Sequence, residues 1–163
     1  MPALSFDTVF ISLLGGILPA LIWLKFWLHE DIHPEPRRII TYCFLGGMLA
    51  VPLVVPIQAY IQTLTGDQTL LTILWSFAEE FLKFTAALTM GIISKSDDEP
   101  VDSMIYLLTA ALGFAAFENV LYLFTPVSSG MFTAGLITGN LRFIGATLLH
   151  VIASTSIGIF IGL

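Results

Sequence analysis

The chain has 163 residues, of which 56% are hydrophobic, and its mean hydropathy is +0.91. Only 11% are charged, against roughly 25% in a soluble globular domain. The net charge of −6 gives no basic footprint for nucleic acid. Because apolar runs of about 18 residues or more with almost no charge indicate membrane spans, the composition predicts a polytopic protein whose surroundings are the lipid bilayer.

Transmembrane helices are the simplest interpretation of these runs, because no alternating barrel-strand pattern is present. The five predicted spans cover residues 6–28, 39–64, 69–93, 101–124 and 131 to the end. Pro52 and Pro56 predict a kink in the second span. Thr125–Gly130 is predicted to be a turn, and the part of the last run before Asn140 a partial or broken segment. We expect an all-α bundle forming one transmembrane domain over 1–163, either complete or part of a larger bundle.

The lysines and arginines of the loops predict the orientation. Arg37 and Arg38 follow the first span, Lys95 follows the third, and the other two loops have no basic residue. Basic loops face the cytoplasm, so we expect the N-terminus outside.

Five of the 18 charged residues lie inside predicted spans, whereas the others lie in loops or near span ends. They are Glu79, Glu80, Lys83, Glu118 and Arg142. A charge at the bilayer centre costs about 2.5–3.5 kcal/mol, so these groups must face one another or a watered cavity. A helix rise of about 1.5 Å per residue places the glutamates and His150 roughly 10–15 Å below the outer ends of their helices. Three spans are therefore expected to bring ionisable groups to one level in the outer half of the bilayer.

A purely structural interpretation pairs Glu79 with Lys83 along one helix, and Glu118 with Arg142 between helices. It leaves two groups without a role, Glu80 and His150, and buried ion pairs are weak devices for stability.

A chemical interpretation fits the residue types better. A carboxylate desolvated among apolar helices is a competent general base for activating water, and a neighbouring Lys or Arg can hold a second carboxylate ionised. His150 and Asn119 can stabilise a developing oxyanion. The sequence has no GxSxG serine and no HExxH zinc motif, which argues against a covalent serine nucleophile and a thermolysin-type site.

Four motifs follow one another in the first charged loop and on the third, fourth and fifth spans. They are DIHPEPRR at 31–38, EEFLK at 79–83, FAAFEN at 114–119, and Arg142 followed by His150. With these motifs, and over most of its length from about Trp23 onward, the sequence resembles the PrsW family of bacterial intramembrane proteases. That family is related to the glutamic membrane proteases of the CAAX-prenyl-protease type.

The resemblance implies an intramembrane endopeptidase, metal-independent or metal-assisted, in a multi-pass bacterial cell membrane. Its substrate would be a membrane-anchored protein such as an anti-sigma factor, cleaved near the outer side to start stress signalling. By this resemblance, Glu79 and Glu80 would supply the base that activates water, and Glu118 would share or position that water. His150 would assist the water or bind the oxyanion. The supporting residues would be Lys83, Asn119 and Arg142. The catalytic core would span about 69–163, with no cofactor.

Three alternatives stay open at this point. Glu79 or Glu80 could ligate a metal together with Glu118 and His150. Intramembrane carboxylates and histidines also build proton relays, so a proton-coupled transporter is a second possibility. The third is a non-catalytic scaffold, because members of the family usually continue into further helices, one with another histidine, beyond the point that corresponds to Leu163. The oligomeric state is not predicted.

Overall fold

The computed structural model describes residues 5–29, 31 and 33–163; Met1–Leu4, and Glu30 and Ile32 of the predicted first loop, lie outside the described part. The described residues form helices and loops without a strand. The helices are α1 (Phe6–His29), α2 (Arg37–Leu64), α3 (Gln68–Ala87) with a π-helical turn (Leu88–Ile92), α4 (Pro100–Ser128), α5 (Phe132–Arg142) with a second π-helical turn (Phe143–Thr147), and α6 (Leu148–Gly162). The expected all-α bundle is confirmed.

Four helices are long and apolar enough to cross a membrane: α1, α2, α4 and the continuous α5–α6 helix over Phe132–Gly162. The remaining helix, α3 with its π-helical turn, carries three charged residues, Glu79, Glu80 and Lys83. The prediction of about five spans is confirmed.

The predicted turn at Thr125–Gly130 is wrong, because α4 continues through Pro126 to Ser128. A proline in the last turn of a helix forfeits one backbone hydrogen bond without ending the helix. The chain leaves the helix at Gly130, two residues after Ser128, and its φ of 72° is a left-handed conformation that glycine adopts without strain. There the Gly130 N–H donates to Val127 and the Met131 N–H to Pro126, the Schellman pattern of a helix C-terminus.

The expected break before Asn140 is also absent. The backbone remains helical through Asn140, and the irregularity follows Arg142 as the π-helical turn Phe143–Thr147. Helix α2 is continuous past Pro52 and Pro56, and the kink expected there stays a prediction. Local sequence signals thus indicated irregular regions, but packing kept these segments helical.

Helix α4 lies at the centre of the bundle and packs against α1, α2, α3, α5 and α6. Most of its side chains between Asp102 and Ala116 are buried, as expected for a helix that is apolar on all sides. It crosses α2 at two glycines: a Cβ atom at Gly113 would collide with the Phe44 carbonyl, and one at Gly47 with the Ala110 carbonyl. The absence of side chains at these positions brings the two backbones together.

We expect Gly113→Val to separate α2 from α4 and to destabilise the protein by about 3 kcal/mol, because overpacking against a backbone carbonyl cannot be relieved by a rotamer change. Denaturation in mixed detergent micelles measures the effect. Gly66→Ala is the control, since a Cβ there meets nothing within 4 Å. Equal stability of the two variants would contradict the close approach of the α2 backbone to Gly113.

At the end of the bundle where α1 joins α2, the connecting loop is bound to the loop before α4. The Tyr106 hydroxyl, fully buried on α4, donates to the Glu35 carboxylate, and His33 Nδ1 lies 2.8 Å from Glu99 Oε1. Burial raises the pKa of Glu35 from 4.5 to about 7, because the effect of desolvation and of nearby Asp102 exceeds the opposing effect of the Tyr106 hydrogen bond. The folded protein therefore favours the neutral form of this carboxyl.

A raised carboxyl pKa predicts how stability changes with pH. Neutral Glu35 makes its full contribution to the free energy of unfolding below about pH 4.5, and this contribution is lost as the pH rises through about 7. We therefore expect the unfolding temperature of the wild type to fall relative to Glu35→Gln between pH 5 and pH 8, with Asp98→Asn as a control in the neighbouring loop. A difference between wild type and Glu35→Gln that does not change with pH would contradict this assignment.

Candidate active site

The EEFLK motif lies in the second half of α3. Asp67 begins this helix, since its side chain accepts hydrogen bonds from the backbone N–H groups of Thr69 and Leu70. Lys83 Nζ contacts Glu80 Oε1 at 2.6 Å, and the lysine side chain is fully buried. An ion pair at i,i+3 on one helix face thus supplies the charge that a buried ammonium requires.

His150, on α6, lies between the motifs of α3 and α4. Its Nδ1 is 2.7 Å from Lys83 Nζ, and its Nε2 is 3.3 Å from Glu118 Oε2. Nδ1 is also 4.0 Å from Glu79 Oε2, and the ring packs edge-on against Phe114 at 5.2 Å between centroids. The imidazole therefore connects three helices, with each nitrogen facing a charged partner.

Arg142, at the end of α5, completes the cluster. Its guanidinium donates to Glu118 Oε2 at 2.7 Å and to Asn119 Oδ1 at 3.0 Å, and it stacks over the Tyr122 ring at 3.6 Å. The Asn119 amide in turn donates to Thr147, in the π-helical turn, at 3.1 Å. The predicted interhelical pair of Glu118 and Arg142 is present, and Arg142 orders the FAAFEN motif through both of its polar side chains.

The predicted Glu79–Lys83 pair is wrong. Lys83 contacts Glu80 instead, while Glu79 points toward α2, where Gln58 Nε2 donates to Glu79 Oε1 at 2.8 Å. The choice between the two glutamates depends on a neighbouring helix. Lys83 extends toward His150 on α6, and Glu80 is the glutamate that lies on that side. Helical spacing allows either glutamate, and only the neighbouring helices select between them.

Two residues of the cluster were not among the site residues predicted from the sequence. Gln58 contacts Glu79, and the Ser154 hydroxyl, fully buried, donates to Glu80 Oε2 at 2.6 Å. Their signal in the sequence is weak: Gln58 is an amide in an apolar span, and Ser154 shares a helix face with His150.

The polar groups of the cluster differ in exposure. Side-chain exposure is 19% for Glu79, 20% for Glu80, 19% for Glu118 and 12% for His150, whereas Lys83 has none. The carboxylates and the imidazole are thus partly exposed, whereas the ammonium is enclosed. Partly exposed acids beside a histidine suit acid–base chemistry on water.

Several transmembrane-capable helices enclosing a carboxylate–histidine–cation cluster define a multi-pass membrane protein with a polar site inside the bilayer. The family profile described as "PrsW family intramembrane metalloprotease" matches residues 35–163. The chain therefore belongs to the PrsW family, and its relatives place it among multi-pass proteins of bacterial membranes.

Curated relatives named Protease PrsW support this assignment. The chain is 31% identical to the one from Oceanobacillus iheyensis, over 68% of this chain and 53% of the relative. It is 29% identical to the one from Geobacillus kaustophilus, over 77% and 56%, and 29% identical to the one from Bacillus subtilis, over 71% and 55%. The chain spans about half the length of these relatives. No solved structure matches.

The family description names a metal, which would need free lone pairs on the side chains of the cluster. A lysine ammonium has only donors, so Lys83 donates to His150 Nδ1 and the proton of the imidazole lies on Nε2, which faces Glu118. Neither nitrogen then offers a lone pair to a metal. Within residues 5–29, 31 and 33–163, no three His, Cys, Asp or Glu side chains are grouped so as to hold a metal ion. As these side chains lie, they do not fit a metal.

Removing the buried ammonium should be costly. We expect Lys83→Met to destabilise the protein by about 3–5 kcal/mol, because it leaves the Glu80 carboxylate buried without its cation. The double variant Lys83→Met/Glu80→Gln should recover part of this loss. Lys95→Met, in the loop before α4, serves as the control, and denaturation in mixed micelles gives the coupling free energy. Additive single losses would contradict the pairing of Lys83 with Glu80.

Proposed function

We propose that the cluster is the active site of an intramembrane endopeptidase that cleaves a membrane-anchored protein by glutamate-activated water. The observation that carries the proposal is that the three glutamates have different contact partners. Lys83 neutralises Glu80 and Arg142 neutralises Glu118, whereas Glu79 has an uncharged amide as its hydrogen-bond partner. Environments that differ in this way give neighbouring carboxylates different roles.

Glu79 is the proposed general base. Among the described residues no lysine or arginine lies within ion-pair distance of its carboxylate, so Glu79 lacks the direct ion pair that holds Glu80 and Glu118 ionised. It takes a proton from a water molecule, whose oxygen attacks the carbonyl carbon of the scissile peptide bond. The proton then passes to the amide nitrogen as the C–N bond breaks, which yields one carboxyl and one amino product.

His150 is the proposed oxyanion donor, with Glu118 as its support. Because Nδ1 accepts from Lys83, the N–H of the ring is on Nε2, on the side of Glu118. This N–H can donate to the oxygen of the tetrahedral intermediate. Arg142 holds Glu118 in place by donating to it at 2.7 Å, and Asn119 accepts from the same guanidinium at 3.0 Å. Ser154 and Lys83 hold Glu80 in the same way.

The expected depth of the site is consistent with the proposed substrate class. A cluster roughly 10–15 Å below the helix ends is reached by a peptide bond that enters the bilayer, as in a single-span protein. We propose cleavage toward the outer side, by a catalytic core over about 69–163 and in stress signalling through an anti-sigma-factor-like substrate. Motif resemblance and the relatives' name support these points.

Cleavage of a single-span reporter by the full-length protein tests the proposal. We expect Glu79→Gln, Glu118→Gln and His150→Ala to lower the rate by about 10²–10⁴-fold, the range for lost acid–base groups, and Glu80→Gln to lower it less. Asp98→Asn, a loop carboxylate, is the matched control. A strong chelator should leave the rate unchanged.

Two results would overturn the proposal. Full activity of the Glu79, Glu118 and His150 variants would remove the cluster from the chemistry, and a scaffold or transport role would then take its place. Loss of activity with the chelator and its recovery with Zn²⁺ would instead replace glutamate-activated water by a metal-bound one.

A further inference from the structure

We propose that Gln58 is a positioning residue that fixes Glu79 for catalysis, so that helix α2, outside the predicted core of 69–163, takes part in the site. The inference rests on the proposed function of Glu79 as general base. Gln58 Nε2 donates to Glu79 Oε1 at 2.8 Å, and the amide is half-buried between α2 and α3. No motif of the sequence includes this residue.

Helix α3 holds Gln58 at two points. The indole N–H of Trp75 donates to the Gln58 backbone carbonyl at 3.2 Å, one helical turn before Glu79 receives the side-chain amide. Trp75 and Glu79 are at i,i+4, so both lie on the face of α3 that meets α2. Since the backbone of Gln58 is anchored, the reach of its side chain is defined, and the carboxylate it contacts has a defined position.

The contact also determines which oxygen of Glu79 reaches the centre of the cluster. Gln58 occupies Oε1, while Oε2 faces His150 Nδ1 at 4.0 Å. That distance is longer than a hydrogen bond. Oε2 is therefore the oxygen that a water molecule beside His150 can reach, and Gln58 keeps the other oxygen turned away.

An amide suits this position better than a cation does. Gln58 has both a donor and an acceptor on its terminal group, so it can bond to Glu79 before and after the carboxylate takes up a proton. A lysine, as beside Glu80, would hold the carboxylate ionised and oppose that proton uptake. The amide partner therefore suits Glu79, which must change its protonation state, and the lysine partner suits Glu80, which stays ionised.

The test compares Gln58→Met with Gln62→Met in the full-length protein, by cleavage of a single-span reporter. Methionine keeps the length of an unbranched side chain and removes the amide, and Gln62 is an exposed glutamine one turn further along α2. We expect Gln58→Met to lower kcat by about 10- to 100-fold, as for a misplaced catalytic group, with KM and the unfolding midpoint equal to those of Gln62→Met.

Two further variants separate positioning from packing. Gln58→His restores an N–H donor and should recover part of kcat, whereas Gln58→Asn, one methylene shorter, should behave like Gln58→Met. Wild-type kcat in Gln58→Met would overturn the inference, and so would a loss that appears in KM or in the unfolding midpoint without recovery in Gln58→His.

The two proposals fail in different ways. If Glu79→Gln is inactive while Gln58→Met retains wild-type kcat, the role of Gln58 is wrong and the proposed function stands. If Glu79→Gln is fully active, the assignment of the base is wrong and the role of Gln58 falls with it.

Discussion

A fully buried ammonium requires partners on every side, and the Lys83 side chain obtains them from three helices. Glu80 on its own helix supplies the opposite charge, His150 on α6 accepts a hydrogen bond, and the Phe114 ring on α4 lies 4.4 Å from Nζ. Because an unpaired charge inside a bilayer costs several kcal/mol, α3, α4 and α6 cannot separate without breaking these contacts. The rest of the polar cluster is arranged around this one group.

The same arrangement explains how three glutamates can occupy one site. Like charges at close range oppose one another's ionisation. Two of the three carboxylates are stabilised in the ionised form by a cation, and the third has only an amide as its partner. Lys83 and Arg142 each hold one carboxylate, and Gln58 holds the third without adding charge. The difference among the partners, rather than among the acids, is what makes one glutamate available for proton transfer.

Helix α4 makes this geometry possible because its buried stretch from Ile105 to Ala116 is almost entirely apolar and has a glycine where α2 crosses it. Gly113 allows the backbone of α2 to approach at the residue just before Phe114, and one turn later Glu118 faces the cluster. Packing and chemistry therefore share one short stretch of helix.

The sequence by itself determined the class of protein and the approximate number and order of the spans, because hydropathy depends only on composition and spacing. It also identified the seven candidate side chains through motifs that lie in different helices. It misjudged Pro126 and the segment before Asn140, where tertiary packing keeps the backbone helical despite local turn signals.

Only the tertiary structure decided which groups touch. Spacing along α3 allows Lys83 to reach either Glu79 or Glu80, and the choice of Glu80 depends on the position of His150 on another helix. The contact of Gln58 with Glu79 depends in the same way on how α2 and α3 are rotated against each other. Rotation about a helix axis is set by contacts between helices, and no periodicity within one helix contains that information.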